Sequence, residues 1–212
     1  DGEPAKTAGT PSLEVLQQSL GERQAASSAG QYVGGGAERV RSAPPVVMES
    51  STGGIPAGAG EFVNRIWPHA VDAAKSLGVP PQFLVAHAAL ETGWGKSEIR
   101  SAEGSPSYNL FGVKAGRSWQ GASVEVPTTE YVNGVAQSTR DKFRVYGSYS
   151  ESFRDYANLL RNNPRFSNVL GQQDGTQFAR SLQQSGYATD PMYADKLGRI
   201  INGTTLRQAL VG

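Results

Sequence analysis

Apolar residues recur at helical spacing soon after residue 60. The segment EFVNRIWPHAVDAAKSLG, residues 61–78, places apolar side chains on one face of a helix: Phe62, Ile66, Ala70, Ala74 and Leu77. Gly78 suits the end of this helix, because glycine readily adopts the left-handed conformation found there. Pro68 interrupts the pattern and predicts either a kink or the start of a second helical part.

A second helical pattern follows in PPQFLVAHAALET, residues 80–92. Pro81 suits the first helical position, where its missing N–H is not needed. Leu84, Ala88 and Glu91 then share one face. The pattern therefore puts a carboxyl on the apolar face at the end of a helix, where the negative end of the helix dipole disfavours a charge. Such a departure from local stability is typical of a functional residue.

The middle of the chain changes to the pattern of a β-hairpin, SVEVPTTEYVNGVAQSTRDKFRVY. Asn133-Gly134 is a strong signal for a two-residue hairpin turn. Pro127 cannot donate a hydrogen bond to a sheet, so its strand is predicted to be an edge strand or to carry a bulge.

Three more helical patterns complete the chain, over residues 148–163, 176–186 and 190–203. Ser148 and Glu151 have the spacing of a capping box. Asp190 suits the N-cap of the last helix, and Pro191 suits its first position. Together the patterns predict a mostly helical α+β domain with one inserted β-hairpin.

The first 57 residues show no comparable pattern. They are rich in Gly, Ser, Ala and Pro and poor in large apolar side chains, so they cannot bury enough surface to offset the entropy of ordering. Residues 12–20, SLEVLQQSL, predict at most a transient helix. We therefore divide the chain into a flexible linker, residues 1–57, and a globular domain, residues 58–210.

Composition excludes several kinds of site. The 212 residues include 20 basic and 19 acidic ones, and this balance does not indicate nucleic acid or an anionic membrane as a partner. Cysteine is absent and there are two histidines, so a cysteine nucleophile is excluded and a zinc site is not expected. No apolar run approaches the roughly 20 residues that cross a bilayer. Nothing indicates a metal or another cofactor.

Glu91 is the first candidate for chemistry. Partial burial and the nearby carbonyls of the helix end both favour its protonated form. A carboxyl of this kind can donate a proton to a leaving-group oxygen, as in glycoside hydrolysis. The alternative is a solvated glutamate at a fraying helix end. His87, one helical turn earlier, is interpreted either as tuning the proton affinity of Glu91 or as a hydrogen-bonded structural histidine.

Four ordered motifs, ETGWGKS, SYNLFGVKAG, TTEY and GYATDPMYADKL, resemble those of the bacterial cell-wall glucosaminidases of glycoside hydrolase family 73. The similarity covers roughly residues 60 to 205. It implies a lysozyme-like fold that cuts peptidoglycan at the β-1,4 bond between N-acetylglucosamine and N-acetylmuramic acid. It further implies that Glu91 is the general acid, that Glu130 is the second carboxylate, and that Tyr187 lines the cleft and assists catalysis.

The residues leave the role of Glu130 open. It could be the base or nucleophile of a retaining or inverting mechanism, depending on its distance from Glu91. It could instead support a reaction in which the N-acetyl group of the substrate is the nucleophile. Without a chemical role, it would be the cross-strand partner of a basic residue such as Arg140.

Other candidates surround these motifs. Trp94 and Trp119 offer ring faces to sugars, or else they pack in the core. Three residues of the SYNLFGVK motif are expected to form the floor of the cleft or to support it: Tyr108, Asn109 and Phe111.

The resemblance also implies a setting. The predicted linker is similar to the spacer that, in flagellar members of the family, joins this domain to a rod-capping half. Peptidoglycan is then the substrate, flagellar rod proteins are partners through a region upstream, and the periplasm is the compartment. Two alternatives remain: a lytic transglycosylase or muramidase acting on the same glycan, and a wall-binding module without catalysis.

Overall fold

Six α-helices and one β-hairpin form the part of the chain that the computed structural model describes, residues 55–212. The predicted linker lies outside this part, except for its last residues. The elements are α1 Ala59–Leu77, α2 Pro81–Thr92, β1 Ser123–Val132, β2 Val135–Arg144, α3 Tyr149–Asn162, a 3-10 helix Pro164–Val169, α4 Gly175–Gln184, α5 Tyr193–Ile201 and α6 Thr204–Val211. None of the helices within residues 55–212 has the length and apolar character required to cross a bilayer. The mostly helical α+β fold class predicted from the sequence is confirmed.

Helix α2 lies at the centre of the domain, packed against α1 and α5. Every side chain from Phe83 to Ala89 is buried, although the sequence pattern predicted a single apolar face. The alanines explain the difference, because small side chains let neighbouring helices approach α2 closely from several directions. Helix α1 runs without interruption through Pro68, and all five of its predicted core residues are buried.

The hairpin forms around the predicted Asn133-Gly134 turn. The strands pair without a bulge from Ser123 opposite Arg144 to Val132 opposite Val135. Asn133 and Gly134 have φ values of 52° and 80°, as a type I′ turn requires. In a two-stranded sheet both strands are edges, so Pro127 is accommodated without losing a sheet hydrogen bond.

The start of α3 agrees with the sequence, and the start of α5 does not. Ser148 accepts from the backbone N–H of Glu151, and the Glu151 carboxylate accepts from that of Gly147. Asp190 is not the N-cap of α5, which begins at Tyr193. A tight turn precedes the helix, in which the Tyr193 N–H donates to the Asp190 carbonyl. The Asp190 carboxylate accepts from the Met192 N–H and pairs with Lys196 at 2.6 Å.

Candidate active site

Glu91 lies in the last turn of α2 with its side chain completely buried. The helix stops directly after it, because Gly93, Trp94 and Gly95 all have positive φ. The Thr92 hydroxyl fixes this turn by donating to the Ala88 carbonyl and accepting from the Gly95 N–H. A Cβ at Gly95 would lie 2.6 Å from the Phe62 ring, so only glycine fits there. The carboxyl is therefore held inside the domain, more deeply than the sequence predicted.

A cluster of buried aromatic residues surrounds Glu91. His87 Nε2 lies 4.0 Å from Glu91 Oε1. The other ring nitrogen, Nδ1, is 2.7 Å from the Tyr156 hydroxyl, and Nε2 is hydrogen-bonded to the Tyr193 hydroxyl. The Tyr187 ring lies 4.6 Å from the imidazole, centroid to centroid. None of these side chains has appreciable exposure. We call His87, Tyr156, Tyr187 and Tyr193 the aromatic cluster.

Burial keeps the aromatic cluster uncharged. It lowers the pKa of His87 from 6.5 to about 3. It raises the pKa of Tyr156 and Tyr193 well above 10, and the negative charge of an ionised Glu91 would add to this effect. The pKa of Tyr187 rises in the same way, with burial again the main cause. The proposed acid thus lies among neutral groups at neutral pH.

The neutral state of His87 predicts how stability depends on pH. Below about pH 6.5 the unfolded chain binds a proton at His87 that the folded protein does not bind until about pH 3. The free energy of unfolding should therefore fall with decreasing pH across this range, by about 1.4 kcal/mol per unit from this group. Urea denaturation of the wild type and of His87→Gln, compared at several pH values from 7 to 4, measures this as the difference in slope. Parallel curves would contradict a buried neutral histidine.

Tyr187 is a buried residue whose hydroxyl is hydrogen-bonded inside the domain. Its hydroxyl donates to the Phe111 carbonyl at 3.0 Å, and its side chain is completely buried. The structure thus places Tyr187 within the aromatic cluster, beside His87, while its role in catalysis stays a prediction.

Glu130 lies on β1 opposite Gln137 and is partly exposed. The Arg140 partner considered from the sequence is wrong, since Arg140 lies opposite Pro127 and pairs with Glu125 at 3.3 Å. The charge near Glu130 comes from Lys114, which is 5 % exposed and pairs with Asp141 at 2.8 Å. Burial lowers the pKa of Lys114, and the charges of Asp141 and Glu130 oppose that shift.

One hydrogen bond brings the segment of Glu130 towards that of Tyr187. The backbone N–H of Tyr131 donates to the Thr189 hydroxyl at 3.2 Å. Tyr131 follows Glu130 on β1 and is bonded to the loop that carries Tyr187. Tyr187 in turn lies beside His87, one helical turn from Glu91. Three of the four motifs that carried the family resemblance are thus connected through neighbouring residues.

Asn109 and Phe111 are interior residues. The Asn109 amide donates to the carbonyls of Val113 and Arg144 and accepts from the Val113 N–H. The Phe111 ring stacks on Tyr156 with 3.9 Å between centroids. Both side chains are buried and so occupy a supporting position, while a contact with the sugar stays a prediction. Tyr108 is partly exposed and packs edge-on against Tyr149.

Asn109→Ala should destabilise the fold. The substitution removes three buried hydrogen bonds, and each buried polar group left unpaired costs about 1–3 kcal/mol. We expect the free energy of unfolding, measured in urea, to fall by several kcal/mol. Asn168→Ala, at an exposed asparagine, is the control and should change it by less than about 0.5 kcal/mol. Full stability of Asn109→Ala combined with a raised KM would instead favour a direct substrate contact.

The two candidate tryptophans, Trp94 and Trp119, differ in surroundings. Trp94 is partly buried and packs against the hydrophobic core. Trp119 donates from Nε1 to the Ala122 carbonyl at 2.8 Å, and the Arg144 guanidinium lies 4.5 Å from its ring centroid. One face of Trp119 is therefore already covered, and only the remaining surface is available for stacking on a sugar.

Sequence reasoning missed the partners of His87. The helical pattern of residues 148–163 includes Tyr156, and the last pattern, residues 190–203, includes Tyr193. Both are core residues whose hydroxyls bind the imidazole. A tyrosine at a fully buried helical position was the available signal, because a buried hydroxyl requires a hydrogen-bond partner.

Several known proteins are similar to this chain in sequence and fold. Residues 67–206 match the profile of the glucosaminidase family, described as mannosyl-glycoprotein endo-beta-N-acetylglucosaminidase. A peptidoglycan hydrolase FlgJ from Escherichia coli O157:H7 is 47% identical over 147 residues, which are 69% of this chain and 47% of that protein. A probable N-acetylmuramidase from Lactococcus lactis is 37% identical, over 66% of this chain and 32% of that protein. The chain thus spans about half the length, or less, of these curated relatives.

A solved structure shows the same architecture. The crystal structure of a peptidoglycan hydrolase mutant from Sphingomonas sp. A1 superposes with a TM-score of 0.71 at 58% sequence identity, covering 72% of this chain and 98% of that one. The family profile spans most of the globular domain and includes Glu91, Glu130 and Tyr187. This chain therefore belongs to the glucosaminidase family.

Proposed function

We propose that this chain hydrolyses the β-1,4 bond between N-acetylglucosamine and N-acetylmuramic acid in peptidoglycan. Membership of the glucosaminidase family and the similarity to proteins named peptidoglycan hydrolases support the substrate. The observation that carries the mechanism is the position of Glu91, a completely buried carboxyl at the end of α2 beside an uncharged aromatic cluster.

Glu91 acts as the general acid in this proposal. Burial in a low-dielectric site disfavours a carboxylate, and no cation is formed by His87 at neutral pH to reverse that preference. The protonated carboxyl donates its proton to the glycosidic oxygen as the bond from that oxygen to the anomeric carbon breaks. The leaving sugar departs as a neutral alcohol, and positive charge develops on the sugar that remains.

Glu130 acts in the step that follows, in which the positively charged sugar is attacked. As a carboxylate on β1, it either removes a proton from the attacking water or stabilises an intermediate formed by the substrate's own acetamido group. Lys114 and Asp141 surround its strand with compensating charges. Tyr187, between the Phe111 carbonyl and the imidazole, assists by holding the aromatic cluster in place beside Glu91.

Substrate entry requires a movement. Glu91 has no exposed surface in the free protein, so neighbouring residues must shift before a glycosidic oxygen can reach it. The hairpin is the element that we expect to move, since the Tyr131–Thr189 hydrogen bond joins its outer half to the helical body. Breaking one hydrogen bond of this kind costs about 1 kcal/mol, which substrate binding can supply.

The setting is also part of the proposal. Peptidoglycan lies outside the cytoplasmic membrane, so the periplasm is the compartment in which the chain meets its substrate. The similarity to the peptidoglycan hydrolase FlgJ supports a role in opening the wall for the flagellar rod. Rod proteins would then bind through a region upstream of these residues.

Cleavage of the other glycosidic bond in the peptidoglycan strand is the main alternative to the proposed reaction. The relative named a probable N-acetylmuramidase favours cleavage on the other side of each muramic acid. A lytic transglycosylase would need one carboxyl and would leave an anhydro sugar. A wall-binding module would release no fragments.

Identification of the new chain ends decides among these functions. Purified peptidoglycan is digested with the wild-type protein, reduced with borohydride and analysed by tandem mass spectrometry. We expect new ends that carry reduced N-acetylglucosamine. Reduced muramic acid would show a muramidase, anhydro ends would show a transglycosylase, and absence of fragments would favour the binding module.

A further inference from the structure

The imidazole of His87 is held between two phenols from different helices. The hydroxyl of Tyr156 on α3 is hydrogen-bonded to Nδ1, and the hydroxyl of Tyr193 on α5 is hydrogen-bonded to Nε2. His87 itself lies one helical turn before Glu91, and its Nε2 is the ring atom that approaches the carboxyl, at 4.0 Å. Both hydrogen bonds and the carboxyl contact are buried completely.

We infer that His87 is a positioning residue for Glu91, which orients the Tyr193 hydroxyl beside the carboxyl and presents to it an imidazole without charge. This inference rests on the proposed general-acid role of Glu91 and adds to it a residue that acts through another. His87 does not touch the sugar. It affects the reaction by fixing the position of Glu91 and by keeping the surroundings of that carboxyl uncharged.

The hydrogen-bond count requires a definite arrangement. A neutral imidazole has one N–H donor and one acceptor nitrogen. One phenol must therefore donate to the ring, while the other accepts from it. The direction of the bond to Tyr156, on the side away from Glu91, and that of the bond to Tyr193 are therefore set together. The Tyr193 hydroxyl, on the side of Glu91, is thereby held in one orientation.

The charge of the ring matters because Glu91 is so close. A histidinium 4.0 Å from the carboxyl would favour the carboxylate, which has no proton to give. The groups that face the imidazole are Glu91 on its own helix, Tyr156 on α3, Tyr193 on α5 and the Tyr187 and Phe111 rings from the loops. Among these, Glu91 is the only carboxyl, and burial outweighs its attraction for a proton on the ring.

Packing alone would be satisfied more simply. The remainder of α2 from Phe83 to Ala89 is apolar and buried. A leucine at position 87, with phenylalanine in place of Tyr156 and Tyr193, would fill the same space without the cost of burying polar atoms. The structure instead has a satisfied chain of hydroxyl, imidazole and hydroxyl, whose end next to Glu91 is fixed in position.

Two substitutions at His87 separate positioning from packing. The amide nitrogen or oxygen of His87→Gln reaches the place of Nε2 and keeps the bond to Tyr193, whereas that of His87→Asn reaches the place of Nδ1 and keeps the bond to Tyr156. We expect His87→Gln to retain kcat within about threefold and His87→Asn to lose about 10- to 100-fold. KM should change little in either variant, and urea denaturation should show similar losses of stability. Equal kcat values in two folded variants would overturn the inference.

A second matched pair removes one hydroxyl from each side. Tyr193→Phe and Tyr156→Phe each delete one buried hydrogen bond to the same ring, so they should destabilise the domain to a similar extent. Tyr193→Phe should lower kcat more, because it acts on the side of Glu91. A larger effect of Tyr156→Phe would contradict the arrangement.

Nitrogen NMR of His87 tests the inference without any activity. The chain has two histidines, so His69→Asn leaves the signals of His87 alone. We expect a neutral ring with one tautomer from pH 8 to pH 4, and a shift of the Nε2 signal in Glu91→Gln but not in Glu103→Gln. A ring that titrates near pH 6.5, or that is unaffected by Glu91→Gln, would overturn the inference even if the proposed hydrolysis were also wrong. If the wild type releases no fragments but His87 behaves as expected, the proposed function fails, while the coupling between the imidazole and the Glu91 carboxyl stands.

Discussion

Glu91→Gln should bind peptidoglycan without cutting it. Glutamine has nearly the shape of glutamic acid, so the buried site at the end of α2 keeps its packing. Its amide cannot donate a proton to the leaving oxygen, and loss of general acid catalysis costs about 10²- to 10⁴-fold in rate. Release of dye from labelled peptidoglycan measures the rate, and co-sedimentation with the insoluble wall measures binding.

The control for Glu91→Gln is Glu103→Gln, the same chemical change at an exposed glutamate of a nearby loop. It should keep the wild-type rate. Circular dichroism and the midpoint of urea denaturation establish that each variant is folded. A folded Glu91→Gln protein with near wild-type turnover would remove Glu91 from the mechanism.

Glu130→Gln should produce the second largest loss of activity. The amide cannot take a proton from water, and its lack of charge gives much weaker stabilisation of a developing positive charge. We expect a rate reduction of about 10²-fold or more, with little change in stability because the side chain is partly exposed. The same dye-release assay measures it.

Glu125→Gln is the matched control, because Glu125 lies on the same strand and pairs with the exposed Arg140. Its rate should equal that of the wild type. If Glu130→Gln stays within about tenfold, a barrier change of roughly 1.4 kcal/mol, its chemical role is wrong. A reaction with a single carboxyl, such as that of a lytic transglycosylase, would then be favoured.

The secondary structure was largely predictable because local signals agreed with the fold. The five apolar positions of α1, the Asn133-Gly134 turn and the Ser148 cap all act within a few residues of one another, and the structure confirms each of them. The start of α5 was not predictable in the same way. Asp190 has the side chain of an N-cap, but its carboxylate is shared between a turn and Lys196.

The candidate site was predictable only in part. Glu91 was indicated by a local conflict between charge and helix end, and the motifs assigned Glu130 and Tyr187. The complete burial of α2 was not evident, since its alanines do not specify which neighbours will cover them. The phenols that bind His87 lie 69 and 106 residues away along the chain. Only the tertiary packing of three helices brings these groups together.

The most direct test of the central claim compares wild type and Glu91→Gln by mass spectrometry of the fragments released from purified peptidoglycan. We predict that the wild type produces new reducing ends of N-acetylglucosamine and that the folded variant produces none above background. The same ends appearing at similar rates from both proteins would contradict the claim that Glu91 is the acid. Muramic acid or anhydro ends from the wild type would contradict the assigned bond or the hydrolytic mechanism.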